Sequence, residues 1–95
     1  MKKLSEILYK VATTALAGNT NIDINDVQID SRQVQKGSVF VAVKGVAVDG
    51  HQFIDKAVEQ GAAAVVCEEM PSSQKQRVAY VKTSNSAEAA GLIAH

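Results

Sequence analysis

Asp30, Ser31 and Arg32 stand in a row at the end of a short alternating apolar stretch that includes Val27 and Ile29. A hydroxyl both donates and accepts hydrogen bonds, so Ser31 beside strand-end amides suits the edge of a polar ligand, and Arg32 adds charge for an anion. The same triplet has a plainer use. Asp side chains commonly bond the amides of a turn, and Arg32 then makes a structural pair or a solvated surface charge. A second candidate is the glycine-bounded stretch GVAVDG, residues 45–50, between an apolar run and a helical pattern. Ligands of open α/β sheets sit in loops of this kind, beyond the carboxyl ends of the strands. Gly45 also simply ends a strand, and Asp49 and Gly50 simply start a helix. His51 falls in the first helical turn with no evident partner for proton transfer. Cys67, in AAAVVCEE, reads as a small core side chain, inert when buried.

Other chemistry is missing from the pattern. There is no G-x-x-x-x-G-K-[ST] phosphate loop and no G-x-G-x-x-G after a strand. His51 and His95 lie far apart, without cysteines or carboxylates at metal-ligand spacing. No Cys-His or Ser-His pairing is recognisable locally. The expectation is that no catalytic residue and no metal ligand lies within these residues.

The elements that must position the candidates follow from periodicity. Leu4, Ile7, Leu8 and Val11 repeat as on a short amphipathic helix, bounded by Gly18 and Asn19. NIDINDVQIDS alternates in two phases broken at Asn25 and Asp26, which predicts strand–turn–strand or a bulged strand. Gln35, Lys36 and Gly37 make a turn into the continuous apolar run 38–43, suited to a strand buried on both faces. Asp49 to Gln52 has the form of a capping box, with Phe53, Ile54, Ala57 and Val58 as the apolar stripe of a helix and Gly61 as its C-terminal cap. Residues 62–67 give a second buried strand, so 38–67 is a right-handed βαβ unit. Residues 71–76 are a polar loop, 78–81 a third core strand, and Asn85 opens a last helix. That helix carries Leu92 and Ile93 and stops without a cap, as if cut from something longer. The predicted class is α/β: a small two- or three-layer domain with a mostly parallel or mixed sheet.

Composition bounds the rest. Ninety-five residues make one domain, and with two Phe, two Tyr and no Trp its core must be built from Val, Ala, Ile and Leu. Ten basic side chains balance ten acidic ones, which argues against a nucleic-acid partner. No stretch approaches membrane-spanning length, and Ser5, Glu6 and Lys10 interrupt any signal-peptide core behind MKK. Cys67, the single cysteine, has no internal partner for a disulfide. A soluble, reduced, cytoplasmic protein is expected.

Residues 30–66, DSRQVQKGSVFVAVKGVAVDGHQFIDKAVEQGAAAVV, resemble the N-terminal domain of the Mur ligases of bacterial peptidoglycan synthesis. The shared pattern is D-S-R at 30–32, Gly37, F-V-A at 40–42, Gly45, D-G-H at 49–51 and G-A-A at 61–63, and the likeness extends loosely from Leu4 to the last helix. Ser31 and Gly50 bring it nearer the branch that adds the third amino acid, diaminopimelate or lysine, to UDP-MurNAc-L-Ala-D-Glu. The D-Ala-D-Ala-adding branch is the alternative, and a non-catalytic protein-interaction module is a second. The resemblance implies that residues 1–95 form a uridine-nucleotide-binding domain of a longer enzyme. Its central ATPase and C-terminal domains lie outside this chain. It implies ATP and Mg²⁺ for the full enzyme and neither for this fragment, which alone is expected to be inactive. It also implies a substrate-binding set of Ile29, Ser31, Val46, Ala47 and Val48. Relatives can carry polar residues where this chain has Val-Ala-Val, so contacts there would run through backbone groups or apolar packing.

Overall fold

Two-sided burial decides the architecture. The computed structural model describes residues 2–7, 13–18, 22–43, 50–70 and 77–84. Along the chain these form β1 (Lys2–Lys3), α1 (Leu4–Ile7), β2 (Thr13–Ala17), β3 (Asp23–Ile24) and β4 (Asp26–Gln28). A 3-10 turn (Ser31–Gln33) leads to β5 (Ser38–Val41). A second 3-10 turn (Gly50–Phe53) runs into α2 (Ile54–Glu59), followed by β6 (Ala64–Cys67) and β7 (Ala79–Thr83). Every residue of β5 and β6 is buried. Neither strand can therefore lie at an edge, and a parallel sheet covered on both faces is the arrangement such strands demand.

The main sheet has the order β2-β7-β6-β5-β4. β4, β5, β6 and β7 are parallel, and β2 closes one edge antiparallel to β7. Alternate side chains divide the core between the two faces. Phe40, Ala42, Val65, Cys67 and Tyr80 pack on Ile54, Ala57 and Val58 of α2. Val39, Val41, Ala64, Val66 and Val81 pack on Leu4 of α1 and Ile24 of β3. The expected mixed sheet and βαβ unit are both present, with β5, α2 and β6 as the crossover.

Three sequence expectations need correction. The first helix does not run to Gly18: residues 13–17 are strand β2. Paired to β7, β2 takes up hydrogen-bonding groups that would otherwise form an open edge, and this outweighs a helical continuation. The phase break at Asn25 does separate two strands, as one of the two expectations had it, but they belong to different sheets and no bulge joins them. β3 pairs with β1 in a small antiparallel sheet, whereas β4 joins the main sheet. Helix α2 starts at Ile54 rather than after Asp49, with Phe53 at its N-cap and no side-chain cap bond, because residues 50–53 wind as a 3-10 turn. The loop 44–49, the polar loop 71–76 and the last helix from Asn85 lie outside the described residues.

The N-terminal ends of the parallel strands are knitted together tightly. The Ser38 hydroxyl donates to the Asp26 carboxylate and accepts from the Gln35 N–H at 3.0 Å. The Gly37 N–H donates to the Gly61 carbonyl at 3.1 Å, and the Gly37 carbonyl accepts from the Asn25 N–H at 2.9 Å. Gly61 ends α2, as expected, with a left-handed φ of +110°, and a Cβ there would meet Lys36 Cα at 2.9 Å. We expect Gly61→Ala to lower stability by at least the ~1–3 kcal/mol of a left-handed non-glycine residue, since the atom it strikes is backbone. A urea titration with an unchanged m-value reads this directly.

Cys67 is fully buried on β6, its Sγ 3.6 Å from the Val81 carbonyl. Burial pushes the thiol from its ordinary 9.0 up to about 11, against a smaller pull downward from Lys82. A folded-state pKa above the unfolded one gives stability that is complete below the unfolded value and lost as pH rises through the folded value. The chain is therefore expected to lose stability between about pH 9 and 11 more steeply than Cys67→Ala does. Its thiol should resist a disulfide reagent at pH 8 until urea unfolds the protein.

Candidate functional site

At the opposite, carboxyl end of β4 and β5 the surface opens into a cleft of about 540 Å³. Its lining is Ile29, Asp30, Ser31, Arg32, Val43, Phe53 and Lys56. Two segments build it. The chain leaves β4 at Gln28 and turns through Ser31–Gln33, while Phe53 and Lys56 come from the start of the crossover helix, three residues apart and so on one helical face. Val43 follows β5.

The turn is made by Asp30. Its carboxylate accepts from the Arg32 N–H at 2.9 Å, capping the 3-10 turn, and from Arg32 Nε at 3.1 Å and Nη2 at 2.8 Å. The Arg32 side-chain hydrogen bonds hold the Asp30 carboxyl below its usual range, helped by the Arg32 backbone N–H. The same bonds raise Arg32. Both groups face water, so the pair adds little to stability beyond shaping the turn. The plainer sequence reading of Asp30 and Arg32 thus describes their contacts.

Ser31 is different. It is only 6% exposed, and its hydroxyl makes no hydrogen bond among the described residues. Its carbonyl accepts from the Val34 N–H at 3.3 Å and from the side-chain amide of Gln60, which also reaches the Val34 carbonyl at 3.3 Å. Ile29 stands at the rim, 62% exposed, and offers apolar surface to the cleft. Arg32 and Lys56 carry the positive charges of the lining and Asp30 the negative one; with Arg32 matched to Asp30, Lys56 leaves the cleft net positive.

The structure thus brings Ile29 and Ser31 together; Val46, Ala47 and Val48 lie outside the described residues. Sequence reasoning missed Val43, Phe53 and Lys56. Phe53 was read only as part of an apolar stripe, and the spacing of Phe53 to Lys56 was the signal that both share a face. His51 lies elsewhere. Its Nε2 accepts from the Glu68 N–H at 3.0 Å and the Glu69 N–H at 3.3 Å, fastening the end of β6. Among the described residues no three His, Cys, Asp or Glu side chains gather where they could hold a metal ion.

Comparison with known proteins gives this geometry relatives. The family described as "Mur ligase family, catalytic domain" matches residues 23–95. The UDP-N-acetylmuramoyl-L-alanyl-D-glutamate–2,6-diaminopimelate ligase of Parabacteroides distasonis is 47% identical over 91 residues, 96% of this chain. The ligase of the same name from Cytophaga hutchinsonii is 42% identical over 97% of this chain. In both cases the chain spans 19% of the relative's length. Among solved structures, a crystal structure of MurF from Acinetobacter baumannii covers 95% of this chain and 19% of its own, with a TM-score of 0.74 and 21% identity, a likeness of fold. MurF of Thermotoga maritima, solved in complex with ADP, covers 72% of this chain and 16% of its own, with a TM-score of 0.61 and 35% identity.

Proposed function

This chain belongs to the Mur ligase family, and we propose that it holds the uridine end of UDP-MurNAc-L-Ala-D-Glu for a MurE-type ligase. The observation that carries this is the meeting of Ile29 and Ser31 with Val43, Phe53 and Lys56 in one cleft at the carboxyl ends of parallel strands. Uracil has apolar faces and an edge of two carbonyls and an N–H. Ile29, Val43 and Phe53 offer apolar and aromatic surface for the faces, and the Ser31 hydroxyl can donate to or accept from the edge. Lys56 offers an ammonium for the diphosphate. Val46, Ala47 and Val48 are proposed as further contacts through backbone groups or apolar packing.

The relatives that match most of this chain carry the diaminopimelate ligase name, which supports diaminopimelate as the amino acid joined by the whole enzyme. The ADP complex of the Thermotoga maritima relative supports ATP as its energy source. The residues in hand do not fit ATP or Mg²⁺: the sequence has no phosphate loop, and the described residues offer no ligand cluster. We therefore assign both, with the amino-acid site, to regions of the whole protein that this chain does not span, and derive no step through them. Among the described residues no helix is long and apolar enough to cross a membrane; a cytoplasmic location is part of the proposal and rests on the Mur ligase resemblance. The MurF structures support a second reading, in which the same cleft serves a D-Ala-D-Ala-adding enzyme. Assaying the whole protein with UDP-MurNAc-dipeptide plus diaminopimelate, against UDP-MurNAc-tripeptide plus D-Ala-D-Ala, separates the two.

An amide NMR titration with UDP tests the cleft, with shifts expected at residues 29–32, 43, 53 and 56. Ser31→Ala removes a hydroxyl without a described partner and leaves the carbonyl bonds of Ser31 in place. It should weaken UDP binding about 3- to 10-fold, the loss of one hydrogen bond, with the melting temperature nearly unchanged. Equal affinity in variant and parent removes Ser31 from the site.

A further inference from the structure

We propose that Gln60, which does not line the cleft, is a positioning residue that clamps the Ser31 turn from behind and thereby sets nucleotide affinity. The inference rests on the nucleotide reading above and adds a residue to it. Gln60 sits at the C-cap of α2, where its own N–H bonds the Lys56 carbonyl at 3.1 Å and the Ala57 carbonyl at 3.2 Å. The left-handed Gly61 follows it, held to Gly37 by a backbone hydrogen bond. The Gln60 backbone is therefore fixed by the helix end and the sheet base, and only its side chain is left to reach outward.

That side chain crosses to the Ser31–Gln33 turn. The amide nitrogen donates to the Ser31 carbonyl and, at 3.3 Å, to the Val34 carbonyl. These two oxygens flank the turn, and Ser31 is the residue whose hydroxyl is uncommitted among the described residues. The turn closes on itself through a Val34 N–H to Ser31 carbonyl bond of 3.3 Å and a Gln33 N–H to Asp30 carbonyl bond of 3.0 Å, and Val34 is buried in the same core cluster as Ile54, Ala57 and Val58 of α2. The remaining tie, Asp30 to Arg32, is local to the turn and lies in water. Among the described residues, Gln60 thus supplies the long-range hydrogen bonds that tie this turn to the helix. Its other surface lines a separate cleft of about 460 Å³ with Lys36, Glu59, Gly61 and Arg77.

The chemistry allows a test that separates positioning from bulk stability. A carboxylate at residue 60 has the shape of the amide but no proton to donate to two carbonyl oxygens; protonated, it has one. UDP affinity is measured by NMR titration on the 95-residue chain for the parent, Gln60→Ala and Gln60→Glu, at pH 7 and near pH 4. Melting curves confirm that each sample is folded. At pH 7 both variants should bind about 3- to 10-fold more weakly than the parent, and their Ser31 and Val34 amide resonances should be displaced before ligand is added. Near pH 4, close to the ordinary glutamate pKa of about 4.3, Gln60→Glu should recover toward the parent at that pH, while Gln60→Ala stays weak. Variants that bind like the parent, or a Glu variant that does not recover at low pH, overturn the clamp while UDP binding by the parent keeps the nucleotide reading intact. A parent that does not bind UDP overturns the nucleotide reading, and the clamp's proposed role falls with it.

Discussion

The structure depends on one strand that has no outside. Val39, Phe40 and Val41 of β5 are all but inaccessible to solvent on both faces, so β5 needs a hydrogen-bonded neighbour along each edge and a covering layer on each side. Parallel neighbours then require a crossover, and the crossover helix α2 supplies the layer over Phe40 and Ala42, while Leu4 and Ile24 cover the other side. The handedness of such crossovers is nearly invariant. Once β5 is interior, α2 is committed to one face and its first turns to the carboxyl end of the sheet. Phe53 and Lys56 face the Ser31 turn for that reason.

The two ends of the sheet are finished differently. At the amino ends the polar groups are consumed internally: Asp26 accepts from Ser38 and from Gln28 at 2.9 Å, Asn25 donates to the Lys36 carbonyl at 3.0 Å, and Gly37 and Gly61 meet backbone to backbone. Close approach there leaves no room for side chains at the glycines. At the carboxyl ends of β4 and β5 the lining keeps an exposed Ile29, an uncommitted Ser31 hydroxyl and an ammonium. The Asp26–Ser38 corner at the amino ends is thus closed by its own hydrogen bonds, whereas the Ser31 turn at the carboxyl ends keeps a hydroxyl and an ammonium available.

Much of this was legible in the chain. The unbroken apolar runs named β5 and β6 because both faces of each are buried, and Gly61 marked the end of α2 because a left-handed residue was needed there. β2 was not legible: what makes residues 13–17 a strand is the open edge of β7, a partner distant in sequence. The start of α2 was misplaced because Asp49 and Gln52 have the residue types of a capping box, whereas the chain winds first through a tighter 3-10 turn. The site was half visible. Ile29 and Ser31 stood out through a shared family pattern. Val43, Phe53 and Lys56 join them only because two segments separated by β5 converge, and Gln60 reaches Ser31 across 29 positions of sequence, which no local pattern encodes.

The Asp-Ser-Arg triplet shows how a short motif divides its labour. Asp30 folds the turn by accepting its backbone amide, and Arg32 holds Asp30 in its ionised form, so each is engaged by the other before any ligand arrives. A carboxylate left alone at the mouth of the cleft would repel an anionic ligand at close range. Bound bidentately by the guanidinium, it becomes a neutral corner, and the field in the cleft is left to Lys56. Ser31, between them, is the member of the triplet with a hydroxyl uncommitted among the described residues, held by its carbonyl rather than by its side chain. Two members of the triplet therefore build and neutralise the turn that presents the third.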